Sequence, residues 1–470
     1  MTDGSTGRIV ADLTAWVAQA PPGSRLPPTR ALVARYGVSP VTVQKALRTL
    51  AARGSIETRA GVGAFVRAQP AARTPDHGWQ TAALGSPRTR SPQLSAALRV
   101  APQDAIALHS GYPDPALLPD RLVRGAFGRA ARGDVALSRA PVAGLPELRR
   151  WFAAELGAAS APGVAPPLPG DVLVLPGSQS GLSAVFRAVV GAGRPLVVES
   201  PTYWGAILAA EQAGVRLVPV PSGPAGPDPE VVDRAFAQSG ARALYCQPSF
   251  ANPTGARWSA DRAEQVLDVA RSHGAFLVED DWAHDLAITG DSTPLAARDD
   301  GGHVVHLRSL TKSVSPAVRV AAVVARGPAR DRLLADAQAE SMYVSPVLQA
   351  VALDVVTQPA WQTHLRHLRQ QLGTRRDLLV RALEQHVPGA SLDAVPAGGL
   401  NLWLRLPAGT DLARLVRDCE SAGVLVAPGD EWFPAEPTGP FLRLGYAGPD
   451  PGRFDEGARL LGAALALQGD

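Results

Sequence analysis

The chain has 470 residues, 46% of them hydrophobic and 19% charged, so it is too long for one ordinary domain and too apolar for a mostly disordered protein. No apolar run approaches the roughly 20 residues that span a bilayer, and the two cysteines, Cys246 and Cys419, lie in no metal-type spacing, which excludes a disulfide scaffold and makes a reducing cytoplasm, with no membrane and no metal, the expected setting. The net charge of +3 divides unevenly: residues 1–68 carry nine basic and three acidic side chains, a net of +6, and the rest sums to −3, so a basic module suited to a polyanion precedes a mildly acidic body.

In chain order, residues 6–19, 29–36 and about 40–53 read as helices, the third with Val43, Ala46, Leu47 and Leu50 on one face at helical spacing. Gly37 breaks the chain before the third helix, and Ser39 is a good N-cap ahead of Pro40 at the first helical position. Residues 56–58 and 64–66 read as short strands around Gly61-Val62-Gly63, completing a winged helix-turn-helix over residues 1–68. Such a unit sets its second helix in a major groove with the wing near phosphates. Ser39, Thr42, Gln44, Lys45 and Arg48 offer hydroxyl, amide and cationic groups, and Val41 an apolar one, for base and phosphate contacts. The same pattern also fits the solvated face of a packing helix. Residues 69–104, most plainly from Gly85 to Pro92, lack apolar periodicity and read as a linker or as a long arm packed on the second domain.

From residue 105 onward, apolar runs at 172–175, 196–198, 243–245, 276–278 and 303–307 alternate with helix-length segments. This implies an α/β domain with a largely parallel sheet and ligands at the carboxyl ends of its strands. A long helical stretch from about Val351, then runs at 400–404, 424–426 and 441–444, read as a smaller α+β lobe.

Chemistry gathers at these strand ends. Lysine occurs only at Lys45 and Lys312 among 46 basic residues, so Lys312, just after an apolar run, stands out as a candidate amine nucleophile. Asp280 lies in three consecutive acids, Glu279-Asp280-Asp281, a crowding that calls for a cation opposite one of them. Asn252 can donate an amide and Tyr203 can stack. Gly177-Ser178-Gln179 between a strand and a helix suits an anion, with Ser309 and Arg319 to complete a phosphate cradle and Arg443 to clamp a carboxylate. Together these are the groups that a pyridoxal phosphate site requires.

Two resemblances rest on these residues. Arg25-Leu26-Pro27-Pro28-Thr29-Arg30, Tyr36-Gly37-Val38-Ser39, Thr42 to Leu47, and Gly61 to Val66 resemble the GntR-type winged-helix domain. That likeness implies DNA contacts by Arg30, by the start of the recognition helix and by the wing glycines Gly61 and Gly63. Pro40 stands where that family often has Arg, so one phosphate or base contact is missing or moved to Lys45 or Arg48. Tyr112-Pro113-Asp114-Pro115, Gly177-Ser178-Gln179, Pro201-Thr202-Tyr203, Asn252-Pro253-Thr254-Gly255, Glu279-Asp280-Asp281, Ser309 to Arg319, Gly398-Gly399-Leu400 and Arg443 resemble the fold type I aminotransferases over about residues 105–465.

The second likeness implies that Lys312 carries the cofactor, Asp280 pairs with its ring nitrogen, Asn252 meets its phenolic oxygen, Tyr203 stacks on it and Arg443 binds a carboxylate. Trp282 departs from the family, which often has a Tyr near this point whose hydroxyl bonds the phenolic oxygen; an indole offers only N–H or packing. A GntR-type module fused to an aminotransferase-like domain is similar to the MocR-type bacterial regulators. Their pattern implies a cytoplasmic, nucleoid-associated protein that pairs head to tail on operator DNA and senses an amino acid, an amine or pyridoxal phosphate itself. The alternatives are a working aminotransferase with a vestigial winged helix, or a metabolite-binding protein without cofactor.

Overall fold

The computed structural model describes residues 4–67, 78–84, 95–102, 104–290 and 293–468, in two compact units, Met1–Arg88 and Thr89–Asp470. In the first, helices α1 (Gly4–Gln19), α2 (Thr29–Tyr36) and α3 (Pro40–Ala52) precede antiparallel strands β1 (Ile56–Arg59) and β2 (Gly63–Val66). Ile9, Leu13, Leu32, Val43, Ala46, Leu50 and Ile56 form its core. A buried Leu here contributes roughly 1.5–3 kcal/mol, so Leu50→Ala would loosen α3 from the core. Gly37 ends α2 in the left-handed region with φ 63°, and the Ser39 hydroxyl caps α3 by accepting from the Thr42 backbone N–H at 3.2 Å. At the wing, Gly63 has φ +140°, and a Cβ there would lie 3.1 Å from the Arg25 guanidinium, which donates to the Val62 carbonyl. Only glycine lets the hairpin close that tightly over the arginine.

The first strand of the second unit is β3 (Ile106–Ala107), and its eight-stranded sheet is built from β4 (Val172–Leu175), β5 (Pro195–Ser200), β6 (Arg216–Gly223), β7 (Gly226–Pro227), β8 (Ala243–Cys246), β9 (Phe276–Asp281), β10 (Val304–Ser309) and β11 (Ala321–Val324). The spatial order is β4-β11-β10-β9-β8-β5-β6-β7. Strands β10, β9, β8, β5 and β6 are parallel to their neighbours in that run, while β11 is antiparallel to both β4 and β10. Val172, Val174, Val197 and Leu277 pack into one core, and Leu173, Leu175, Val198 and Leu307 into another. Burial on both faces explains why these strands read as near-continuous apolar runs instead of alternating ones.

The small lobe is a four-stranded antiparallel sheet in the order β12-β13-β16-β15, formed by β12 (Ser391–Leu392), β13 (Asn401–Arg405), β15 (Ala427–Pro428) and β16 (Phe441–Gly445). It packs with helices that include the 28-residue Pro359–His386. The run expected at 424–426 contributes β14 (Val424–Leu425), which pairs in parallel with β3 instead of joining that sheet. Within 69–104, the described residues include a helix at Gly78–Leu84 and a 3-10 turn at Ala96–Leu98; the run from Gly85 to Pro92 lies outside the described residues. The turn belongs to the second unit, where Ala96 packs with Trp403, Ala427, Trp432 and Phe441.

Candidate functional site

The carboxyl ends of β4, β5, β8, β9 and β10 meet at one edge of the large sheet, the position where open α/β sheets bind ligands. There a cleft is lined by Lys312, Asp280, Asn252, Tyr203, Ser178, Trp282 and Arg443, together with Gly111, Tyr112, Trp204, Gln247, Ala97 and Leu98. Seven of the expected site residues are therefore brought together from segments far apart in sequence.

Asp280 is enclosed on β9. Its Oδ2 accepts from the Tyr245 hydroxyl at 2.8 Å and from Gln247 Nε2 at 2.8 Å, whereas Oδ1 has no hydrogen-bond partner. Burial pushes this carboxyl up to about 6, against the lowering effect of those two donors. A buried carboxylate with one bare oxygen needs a cation, and a protonated pyridine nitrogen is a suitable one. The neighbouring acids already face cationic partners: Glu279 accepts from the Leu295 and Ala296 backbone N–H groups and pairs with His306, and Asp281, whose Oδ1 is also without a hydrogen-bond partner, pairs through Oδ2 with His284 at 2.6 Å.

Lys312 Nζ donates to the Gly111 carbonyl at 2.7 Å and stands 3.3 Å from the centre of the Tyr112 ring. Burial, then the charges of Arg443 and Arg319, hold its amine well below the ordinary lysine value, which favours the uncharged, nucleophilic form. Arg443 is only 2% exposed. Its guanidinium donates to Asn252 Oδ1 at 2.9 Å, Asn401 Oδ1 at 3.2 Å and the His109 carbonyl at 3.3 Å. Burial lowers it to about 10, so it remains a cation at neutral pH. Because Asn252 spends its oxygen on Arg443, its amide nitrogen is the group left to face the pocket.

At the anion end, helix Ser178–Val185 begins after Gly177 with no side-chain cap, which leaves its first backbone N–H groups for a ligand. Gly177 has φ +92°, and a Cβ there would come within 2.9 Å of Arg319 Nη2, so the missing side chain is what admits the guanidinium. Gln179 turns away from the lining: its Nε2 donates to the Gly205 carbonyl at 2.7 Å and its Oε1 accepts from the Tyr203 hydroxyl at 3.2 Å, which orients the ring expected to stack. Ser309 is also behind the lining, with its hydroxyl accepting from the Thr311 N–H at 3.2 Å.

The winged helix presents a different surface. Arg30, Ser39, Val41, Gln44, Lys45, Arg48, Gly61 and Gly63 are exposed and Thr42 is half-buried. Ser39 also shares a 2.9 Å hydrogen bond with the Thr42 hydroxyl, so its first role is the helix cap.

Sequence reasoning missed Gln247 and Tyr245, which hold Asp280; Tyr112 stood in a quoted motif, but without the role of meeting Lys312. It also missed Ala97 and Leu98, which come from the segment read as linker. Their distinguishing signal is spatial, apart from the position of Gln247 directly after β8. The residues present fit pyridoxal phosphate. Besides Asp280 Oδ1, the buried Trp282 Nε1 has no partner, and a lysine, an anion site and an amide donor converge on the same cleft.

Comparison with known proteins agrees with this geometry. Residues 109–461 match the aminotransferase class I and II family, and residues 6–66 match the gntR family of bacterial regulatory proteins. The chain is 31% identical over 366 residues to a 2-aminoadipate transaminase of Thermus thermophilus, covering 77% of this chain and 90% of that one. It is 29% identical over 458 residues to the probable rhizopine catabolism regulatory protein MocR of Rhizobium meliloti, covering 95% and 90%. The crystal structure of the Thermus thermophilus alpha-aminoadipate aminotransferase LysN, complexed with N-(5'-phosphopyridoxyl)-L-leucine, superposes with a TM-score of 0.71 at 30% identity, over 78% of this chain and 93% of that one.

Proposed function

The chain belongs to the class I and II aminotransferase family and carries a gntR-family DNA-binding domain ahead of it, the composition of the MocR-type regulators; from that premise we propose that it is a transcription regulator whose pyridoxal phosphate domain senses an amino acid. The observation that carries the sensing reading is Arg443. It is a buried guanidinium in the wall of the same cleft as Lys312 and Asp280, placed to take a carboxylate beside the cofactor.

Bound pyridoxal phosphate supplies a carbon that a primary amine can attack and a ring that withdraws electrons. Asp280 would hold the proton on the ring nitrogen, Asn252 and Trp282 would offer N–H donors, Tyr203 would stack, and Ser178 with the following backbone N–H groups would bind phosphate, with Arg319 and, from behind the lining, Ser309 in support. Lys312 would be the covalent attachment point. Gln179 orients Tyr203. Arg30, Ser39, Val41, Thr42, Gln44, Lys45 and Arg48, with the wing glycines Gly61 and Gly63, form the DNA-facing surface. Residues 1–68 act as the reader, 69–104 as the connection and 105–470 as the sensor. Two copies pair head to tail, and the large apolar side chains Leu137 and Met342, 97% and 68% exposed, supply surface for such a contact.

The test is a binding titration on DNA from the region upstream of its own coding sequence, with and without pyridoxal phosphate and amino acids, at stated salt. Binding that changes with an amino acid supports the regulator. Failure to bind that DNA, together with sustained amino-acid-dependent transamination, makes the protein an enzyme instead.

A further inference from the structure

Residues 95–99 connect the pocket to the chain that leads back to the reader. Ala97 and Leu98 line the cleft beside Tyr112 and Trp204. From the other side the segment is pinned: Ser95 Oγ donates to Glu431 Oε2 at 2.6 Å, and the Ala96 N–H donates to Glu431 Oε1 at 3.1 Å. Arg99 pairs with Glu420, and its carbonyl lies 2.9 Å from His109 Nε2.

Glu431 belongs to the 3-10 turn Gly429–Trp432, which touches the site twice more. The Trp432 ring is 5.6 Å from the Arg443 guanidinium, and the Trp432 carbonyl accepts from the Thr202 N–H, next to Tyr203, at 2.8 Å. One turn therefore contacts the carboxylate-binding arginine, the loop of the stacking tyrosine and the connecting segment.

Resting on the reading of Arg443 as the effector's carboxylate clamp, we propose that Ser95–Arg99 passes pocket occupancy to the DNA-binding domain, with Glu431 as the positioning residue that ties it to Arg443, and that the effector is an α-amino acid with an apolar side chain. A ligand shifts an equilibrium only through contacts that differ between the two states, and this segment supplies them. Leu98 leaves 41% of its surface open, so an apolar side chain lying against it removes that surface from water and favours one placement of the segment. A carboxylate on Arg443 meanwhile neutralises a buried cation that the Glu431 carboxylate partly supports, which changes the balance at the turn holding Ser95 and Ala96.

The experiment uses the full chain loaded with pyridoxal phosphate, its own upstream DNA, and L-leucine as probe. The visible spectrum of the bound cofactor reports L-leucine in the pocket, and fluorescence anisotropy reports DNA affinity. In the wild type both respond, with DNA affinity changing by about 5- to 150-fold. In Ser95→Ala the spectral response is retained while the DNA response collapses toward about onefold; in Glu431→Ala, whose carboxylate also supports Arg443, the DNA response collapses and the L-leucine midpoint rises as well. Leu98→Ala raises the L-leucine midpoint by about tenfold.

Cofactor content and melting temperature matched to wild type identify folded variants, and Ser95→Ala carries the test if Glu431→Ala does not fold. Folded variants that keep the wild-type DNA response overturn the inference alone. A wild type that binds the DNA and whose spectrum responds while its DNA affinity does not change overturns the inference alone; a wild type that does not bind the DNA removes the regulator reading and the inference with it. A spectrum unmoved by L-leucine overturns the apolar effector class.

Discussion

In the winged helix, Val41, Gln44, Lys45 and Arg48 stand in solvent, whereas in the aminotransferase domain Asp280 and Arg443 are each 2% exposed and Lys312 is committed to Gly111 and Tyr112. The first surface works by being available. Contacts that such a surface makes with a polyanion would be formed and broken against water, so each would be small, salt-dependent and roughly additive. The second works by enclosure. A charge there has no water to fall back on, so removing one partner strands the other, and effects are large and coupled.

Four substitutions sharpen or break that contrast. The largest effect belongs to Lys312→Ala, which should abolish the visible band of the lysine-linked cofactor while leaving the winged helix folded, as absorbance and thermal melting would show. Next is Asp280→Asn. Losing the partner of a buried cation costs about 3–5 kcal/mol, so cofactor affinity should fall by about 100-fold or more in an equilibrium titration.

The same residue sets a pH dependence in the cofactor-free chain. Because burial raises the Asp280 carboxyl to about 6 in the folded protein, the fold binds this proton more tightly than the unfolded chain does. The resulting stability is fully present below the ordinary carboxylate range and is lost as pH rises to about 6. The expected loss is about 3 kcal/mol, visible in urea unfolding between pH 4 and 7 and flattened in Asp280→Asn.

On the exposed surface, Lys45→Ala should weaken DNA binding across sequences and reduce the slope of log affinity against log salt by about 1. Ser39→Ala removes the α3 cap and should cost about 1 kcal/mol, with the loss confined to the unfolding of the winged helix. A Lys45→Ala effect as large as that of Asp280→Asn would break the contrast.

Local chemistry was well expressed in the sequence. The αL glycine at Gly37 and the Ser39-Pro40 start of α3 fixed the reader's helix boundaries to within a residue or two, because caps and turns act over a few bonds. Lys312 was visible by scarcity and Asp280 by the crowding of acids. Strand β6 was not recognised, since Arg216–Gly223 carries two prolines and is only partly buried, which blurs both apolar and alternating patterns. The second tier of the site was illegible for a different reason. Nothing local marks Tyr245 and Gln247 as the groups that hold Asp280, because the link is made by β8 lying beside β9. Ala97 and Leu98 were hidden because an arm that packs on its own domain has the composition of a linker.

The three acids that end β9 look interchangeable in one dimension, and the pleat makes them unequal. Successive side chains of a strand point to opposite faces, so Glu279 and Asp281 are turned toward His306 and His284 while Asp280 alone reaches the cleft. The run therefore contains no spare: neither neighbour can stand in for Asp280, and a one-residue insertion or deletion upstream in β9 would present the wrong carboxylate to the ligand while leaving the composition of the segment almost unchanged.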